Sequence, residues 1–69
     1  MQIFDLQDHE FIELNKLLKI TGLCESGGEA NHAIVDGEVT VDGRLERRKR
    51  CKIRSGQTVE CRGQAVRIG

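Results

Sequence analysis

At Gly37 the spacing of apolar residues changes, and that change decides what the chain can become. Before it, Phe11, Leu14, Leu17 and Leu18, and then Ala30, Ala33 and Ile34, recur at intervals of three and four, the period of a helix with one buried face. After it, Val39 and Val41, Val59 and Cys61, and Val66 and Ile68 recur at intervals of two, the period of a strand. Local punctuation divides these patterns into elements. Gln2–Leu6 reads as a short strand. Asp8 stands where an N-cap belongs, with Glu10 in the favourable first turn, so a helix is expected from His9 to Thr21, stopped by Gly22. Ser26 and Glu29 have the spacing of a capping box, which starts a second helix over Gly27–Asp36 that ends at Gly37. Asp42-Gly43 is the dipeptide that a type I′ turn prefers, and Arg44-Leu45-Glu46 begins the return strand. Ser55-Gly56 and Gly63-Gln64 supply two further turns around a strand at Thr58–Arg62. The order is β-α-α-β-β-β-β: an α+β fold with two short helices packed on a small antiparallel sheet.

Sixty-nine residues make a single domain, 1–69. A domain of this size buries only about 60 % of the surface its unfolded chain exposes, which leaves no room for a deep substrate cavity. No apolar run approaches the ~20 residues that a membrane span needs, and the N-terminus lacks the regions of a secretory signal. A cytoplasmic protein without membrane contact is expected. Cys24, Cys51 and Cys61 are odd in number and widely spaced. In a reducing cytosol they are expected to be free thiols that behave as small apolar groups. There is no Cys-x-x-Cys or His-x-x-x-His pair to hold a metal, and no cofactor is implied. No local pairing of nucleophile and base suggests catalysis. Cys51 lies among cations that would lower its pKa, but an incidental or buried cysteine is the simpler reading.

The net charge is zero, yet the charges are not mixed. Residues 1–36 carry seven acids and two bases, whereas residues 37–69 carry nine bases and four acids. Seven of the eleven bases (Arg44, Arg47, Arg48, Lys49, Arg50, Lys52 and Arg54) fall within eleven residues that contain one acid, Glu46. Protecting a strand edge from other chains takes one or two such charges. Seven repel one another and oppose folding, so a polyanion is the better explanation. Arginine suits phosphate because its planar fork holds two oxygens at once. Lys16 and Lys19, three apart on the first helix, project to one side, and Asn31 and His32 on the second helix can face the same surface. Base stacking is not expected. Tyr and Trp are absent, and Phe4 and Phe11 fit core positions, which leaves the phosphates and sugars of a folded nucleic acid. The alternative from another class is a protein-interaction module whose basic strand docks an acidic partner.

Leu14-x-x-Leu17-Leu18-Lys19-x-x-Gly22, Ser26-x-x-x-Ala30, Ile34-x-x-Gly37-x-Val39-x-Val41-Asp42-Gly43 and Gly56-Gln57-x-Val59 together resemble the αL RNA-binding motif. This module is named for the small-subunit ribosomal protein S-four and also occurs in pseudouridine synthases and tyrosyl-tRNA synthetases. The segment Glu46-x-Arg48-Lys49-Arg50-Cys51-Lys52-Ile53 is similar to small stand-alone bacterial proteins that consist of little more than this domain. The resemblance implies a non-enzymatic protein, and a monomer is expected. It also implies binding of structured RNA, ribosomal or transfer RNA, through the two helices and the following hairpin, and a place at the ribosome. Many members carry an Arg near the start of the first helix and a base just after the Ser that caps the second. Here those places hold Phe11-Ile12-Glu13 and Gly27. The weight of phosphate binding therefore moves to Arg44–Arg54, supported by Lys16 and Lys19.

Overall fold

In the computed structural model, which describes residues 1–69, strand β1 (Gln2–Phe4) is followed by β2 (Ile12–Glu13), helix α1 (Leu14–Ile20) and helix α2 (Gly27–Val35). Strands β3 (Val39–Val41), β4 (Arg44–Leu45), β5 (Lys52–Ile53), β6 (Thr58–Cys61) and β7 (Gln64–Ile68) complete the chain. Five strands form one sheet in the order β1-β7-β6-β3-β4, and β2 pairs with β5 in a separate ribbon. The helices pack on each other. Leu14, Leu17 and Leu18 of α1 and Ala30, Ala33 and Ile34 of α2 are buried with Val39, Val59, Cys61, Val66 and Ile68 of the sheet, in one cluster of 17 residues. On the inner face of α2 the two alanines stand beside the larger Ile34, which fills the core between the helices and the sheet.

The α+β class and its two short helices are as the sequence indicates, but the sheet is mixed. β3, β4, β6 and β7 run antiparallel to their neighbours, while β1 lies parallel to β7, with Ile3 beside Arg67 and Phe4 beside Ile68. Nothing in the local pattern of residues 2–6 encodes the direction of a partner sixty residues away.

The first helix is also shorter than its apolar spacing suggests. Residues 9–11 are not helical, and Ile12-Glu13 pairs with Lys52-Ile53 before α1 starts. Asp8 does not cap it. Gln7 and Asp8 have φ of 51° and 73°, and the cap position belongs to Glu13, whose side chain makes no capping bond. Asp tolerates the left-handed region as well as it caps, and here the tight turn prevails.

The second helix starts where expected. The Ser26 hydroxyl accepts from the Glu29 amide at 3.1 Å, but Glu29 Oε2 accepts from the Glu25 amide at 3.2 Å and not from that of Ser26. The capping box is thus displaced by one residue on its return half. At the other end the Gly37 amide donates to Ile34 O and the Glu38 amide to Ala33 O, the Schellman closure, with Gly37 at φ +80°. Asp42 and Gly43 both have positive φ, 53° and 81°, as the type I′ turn requires. A second such turn lies at Arg62-Gly63 (φ 52° and 80°), one residue earlier than the Gly63-Gln64 turn expected from sequence. Gly63 alone cannot say whether it is the first or second residue of the turn.

Candidate nucleic-acid interface

The middle of the basic run, between β4 and β5, is a loop fastened to the front of α1. Two amides of that helix's first turn, on Leu14 and Asn15, have no partner within the helix and donate to the carbonyls of Cys51 (2.9 Å) and Lys49 (3.0 Å). The Asn15 side chain donates in turn to Asn31 Oδ1 of α2 at 3.1 Å. Loop, first helix and second helix therefore meet at Asn15, a residue that the reading of charge passes over because it carries none. The loop's other end joins β5, held against β2. A segment of many like charges is thereby given a fixed backbone path.

Every basic residue of the run is exposed. They are not equally free. Arg48 forms a fork with Glu46, Nε to Oε2 at 2.9 Å and Nη2 to Oε1 at 3.2 Å. Arg50 Nε donates to Glu13 Oε2 at 2.8 Å. Arg44, Arg47, Lys49, Lys52 and Arg54 have no carboxylate within ion-pair distance. Arg44, Arg48 and Lys52 line one shallow concavity, and Arg48, Arg50 and Lys52 line another, which places four of the run's seven cations around one stretch of surface. Arg47 points elsewhere. Its guanidinium lies over Gly37, so close that a Cβ there would stand 3.4 Å from Nη2. This sets a cation beside the carboxyl end of α2, where the helix dipole favours it. Lys52 Nζ and Arg54 Cζ sit 5.0 and 5.6 Å from the centre of the Phe11 ring.

Of the supporting residues, Lys16 and Lys19 are exposed on α1, and Lys16 lines a groove that it shares with Phe11. His32 is exposed on α2, while Asn31 is half-buried and engaged with Asn15. Asn31 is therefore a tie between the helices, with one amide face already used.

The local electrostatics follow from the ion pairs. The Arg48 guanidinium holds the Glu46 carboxyl down at about 2, and Glu46 holds Arg48 above its ordinary range. Arg62, outside the run, bridges Glu38 (Nε to Oε1, 2.9 Å) and Glu29, which raises the arginine and lowers Glu29. That clamp ties the β6–β7 turn to the start of α2 and the start of β3.

Cys51 is a half-buried free thiol, and despite the cations around it in sequence its pKa is raised and not lowered. Partial burial comes first and the Glu46 carboxylate second in raising its pKa, and together they outweigh Arg48. Arg48 Nη2 donates to the Cys51 sulfur at 3.7 Å and lowers its pKa, but burial and the Glu46 carboxylate prevail. Cys24 and Cys61 are buried free thiols, both raised by burial, with Cys61 pushed up to about 11 by the neighbouring Cys24 as well. No three His, Cys, Asp or Glu side chains gather as a metal site. No helix is long and apolar enough to cross a membrane.

The architecture has close relatives. YbcJ of Escherichia coli (strain K12), named as a candidate RNA-binding protein, is 50% identical over 68 residues, covering 99% of this chain and 97% of the relative. The YbcJ protein of Shigella flexneri matches with the same identity and coverage. The solution structure of the E. coli protein, described as revealing an αL motif involved in RNA-binding, superposes with a TM-score of 0.77, covering 99% of this chain and 86% of that one. The family model for the S4 domain matches residues 4–69. With two helices, an αL motif and a mixed sheet in common with these relatives, the chain belongs to the S4 domain family.

Proposed function

We propose that this chain is a single-domain, non-enzymatic RNA-binding protein. It grips the phosphates of structured RNA, ribosomal or transfer RNA, as a monomer in the cytoplasm and in association with the ribosome. The observation that carries this reading is the run of Arg44–Arg54. It is dense in cations, every one of them exposed, and it is pinned by its backbone to α1, with five of its seven bases free of any carboxylate. Arg44, Lys49, Lys52 and Arg54 make the main contacts, and Arg47, turned toward Gly37, adds charge from the end of α2. Arg48 and Arg50 exchange Glu46 and Glu13 for phosphate when RNA arrives, and Lys16, Lys19, Asn31 and His32 form the flank. The family relationship and the description of the E. coli relative's motif as involved in RNA-binding support the same partner.

The fixed loop path matters to the energetics. Holding cations in place before binding lowers the ordering cost of association, so a modest number of contacts suffices. If three to five phosphates are engaged, log K falls with log[salt] with a slope of about −2 to −4. The test is a salt titration of binding to a transfer RNA and to a ribosomal RNA fragment, with the wild type and a variant carrying Arg44→Gln, Lys49→Gln and Lys52→Gln. The variant is expected to bind more weakly, with a shallower slope and an unchanged circular dichroism spectrum. A flat salt response of the wild type, or equal binding by the variant, would overturn the reading.

A further inference from the structure

Phe11 is not a core residue. The 17-residue core contains no aromatic side chain, and Phe4 and Phe11 are both half-buried at its margin. Phe11 lines a groove of about 460 Å³ whose apolar wall is completed by Phe4, Leu6, Ile12 and Ile20. That volume lies within the range of pockets that hold small organic groups. The ring has two cations over it, Lys52 Nζ at 5.0 Å and Arg54 Cζ at 5.6 Å, and Lys16 stands on the same groove. Both acids that line the groove have hydrogen-bond partners. Asp5 Oδ1 accepts from the Gln7 amide at 2.8 Å, and Glu13 is held by Arg50.

An aromatic face beside an apolar wall, flanked by unpaired cations, has the chemistry of a nucleotide site. The ring and the wall suit a base, and the cations suit the phosphates on either side of it. A flat base gains from stacking on a phenyl ring whatever its identity, because every base has a π-face. An acidic or purely apolar partner would use one half of this arrangement and leave the other idle.

We infer that the Phe11 groove takes one unpaired nucleobase of the bound RNA, stacked on the ring, with Lys52 and Arg54 leaving the ring for the adjoining phosphates and Lys16 meeting the RNA from the groove itself. The inference rests on the RNA-binding reading and deepens it. The protein holds the paired part of its target by charge and the unpaired part by stacking. It therefore discriminates a stem that carries a loop or bulge from a plain duplex.

The test compares an RNA hairpin bearing 2-aminopurine in its loop with a blunt duplex of the same stem. The wild type is expected to bind the hairpin more tightly and to change the fluorophore's emission. Phe11→Leu is expected to bind the hairpin about tenfold more weakly, with the emission change gone, the salt slope retained and duplex binding unaltered. Phe11→Tyr keeps the aromatic face and is expected to restore both signals, which separates stacking from a folding defect. Hairpin binding by Phe11→Leu equal to wild type, or an equal loss on hairpin and duplex, overturns the inference and leaves the proposed function standing. Unaltered RNA binding by Phe11→Leu, together with loss of a dimer on sedimentation, would assign the groove to a second copy of the chain and also overturn it. Failure of the wild type to bind either RNA overturns the proposed function and this inference with it.

Discussion

Arg50 Nε donates to Glu13 Oε2 at 2.8 Å across 37 residues of chain, so the largest cation cluster carries its own competing anion. The arginine side chain is 79% exposed, and an exposed pair of this kind contributes little to stability, a few tenths of a kcal/mol at most after screening. Its effect is on the ligand. Glu13→Gln removes the competitor while keeping the side chain's shape. RNA binding is expected to tighten by about two- to fivefold at low salt, with the gain shrinking as salt rises. Fluorescence anisotropy with a labelled transfer RNA checks this, and weaker binding would place Glu13 among the groups that need to be present.

The Glu46–Arg48 fork makes a prediction about acid. The Glu46 carboxyl titrates at about 2, below the ordinary carboxylate range, because Arg48 favours its charged form. The folded value is depressed, so the stabilising contribution is complete above the unfolded value near 4.3 and is lost as pH falls through about 2. NMR titration of the Glu46 side chain is expected to show this midpoint, and Arg48→Ala to return it toward the ordinary range. An unmoved midpoint in that variant would mean another group holds the proton off.

Ser26→Ala deletes the hydroxyl that accepts from the Glu29 amide and leaves the rest of the α2 start in place. The expected loss is about 1 kcal/mol, which for a domain of this size lowers Tm by about 4–8 °C. Thermal melts followed at 222 nm measure it. No change would show that water replaces the hydroxyl without cost.

The three thiols differ in access and in proton affinity. Cys24 and Cys61 are 1% exposed, whereas Cys51 is half-buried, and all three are raised above the ordinary thiol range. Treatment of the native protein with a chromogenic disulfide reagent at pH 8 is expected to modify Cys51 slowly and first. Cys24 and Cys61 are expected to react only when denaturant opens the core. Mass spectrometry of the products distinguishes this from three equal rates, which would contradict the burial of the pair.

Much of this molecule is legible in its sequence because the signals concerned are local. The Ser26 cap, the Gly37 closure and the Asp42-Gly43 turn depend on a handful of neighbouring residues, and each is where its chemistry puts it. The two-residue strands β2 and β5 escape notice because neither is long enough to show a period, and they exist only through each other. Asp8 misleads because one short acidic side chain suits both a helix cap and a left-handed turn. At the site, the concentration of charge is plain in the sequence. Its partition into free and paired cations is not, since Glu13 reaches Arg50 only after α1 and the loop have docked. Asn15 and Phe11 carry no charge and no motif, and their parts emerge only from what surrounds them.

The parallel seat of β1 against β7 has a consequence for biosynthesis. Residues 2–4 are made before the other elements of this fold, and their only ladder partner is residues 66–68, which also stand between them and every other strand of the sheet. β1 therefore joins the sheet only after β7, the last strand of the fold to be made, is free to pair with β6. A chain lacking residues 66–68 would leave β1 with no partner and β6 as the edge of the sheet.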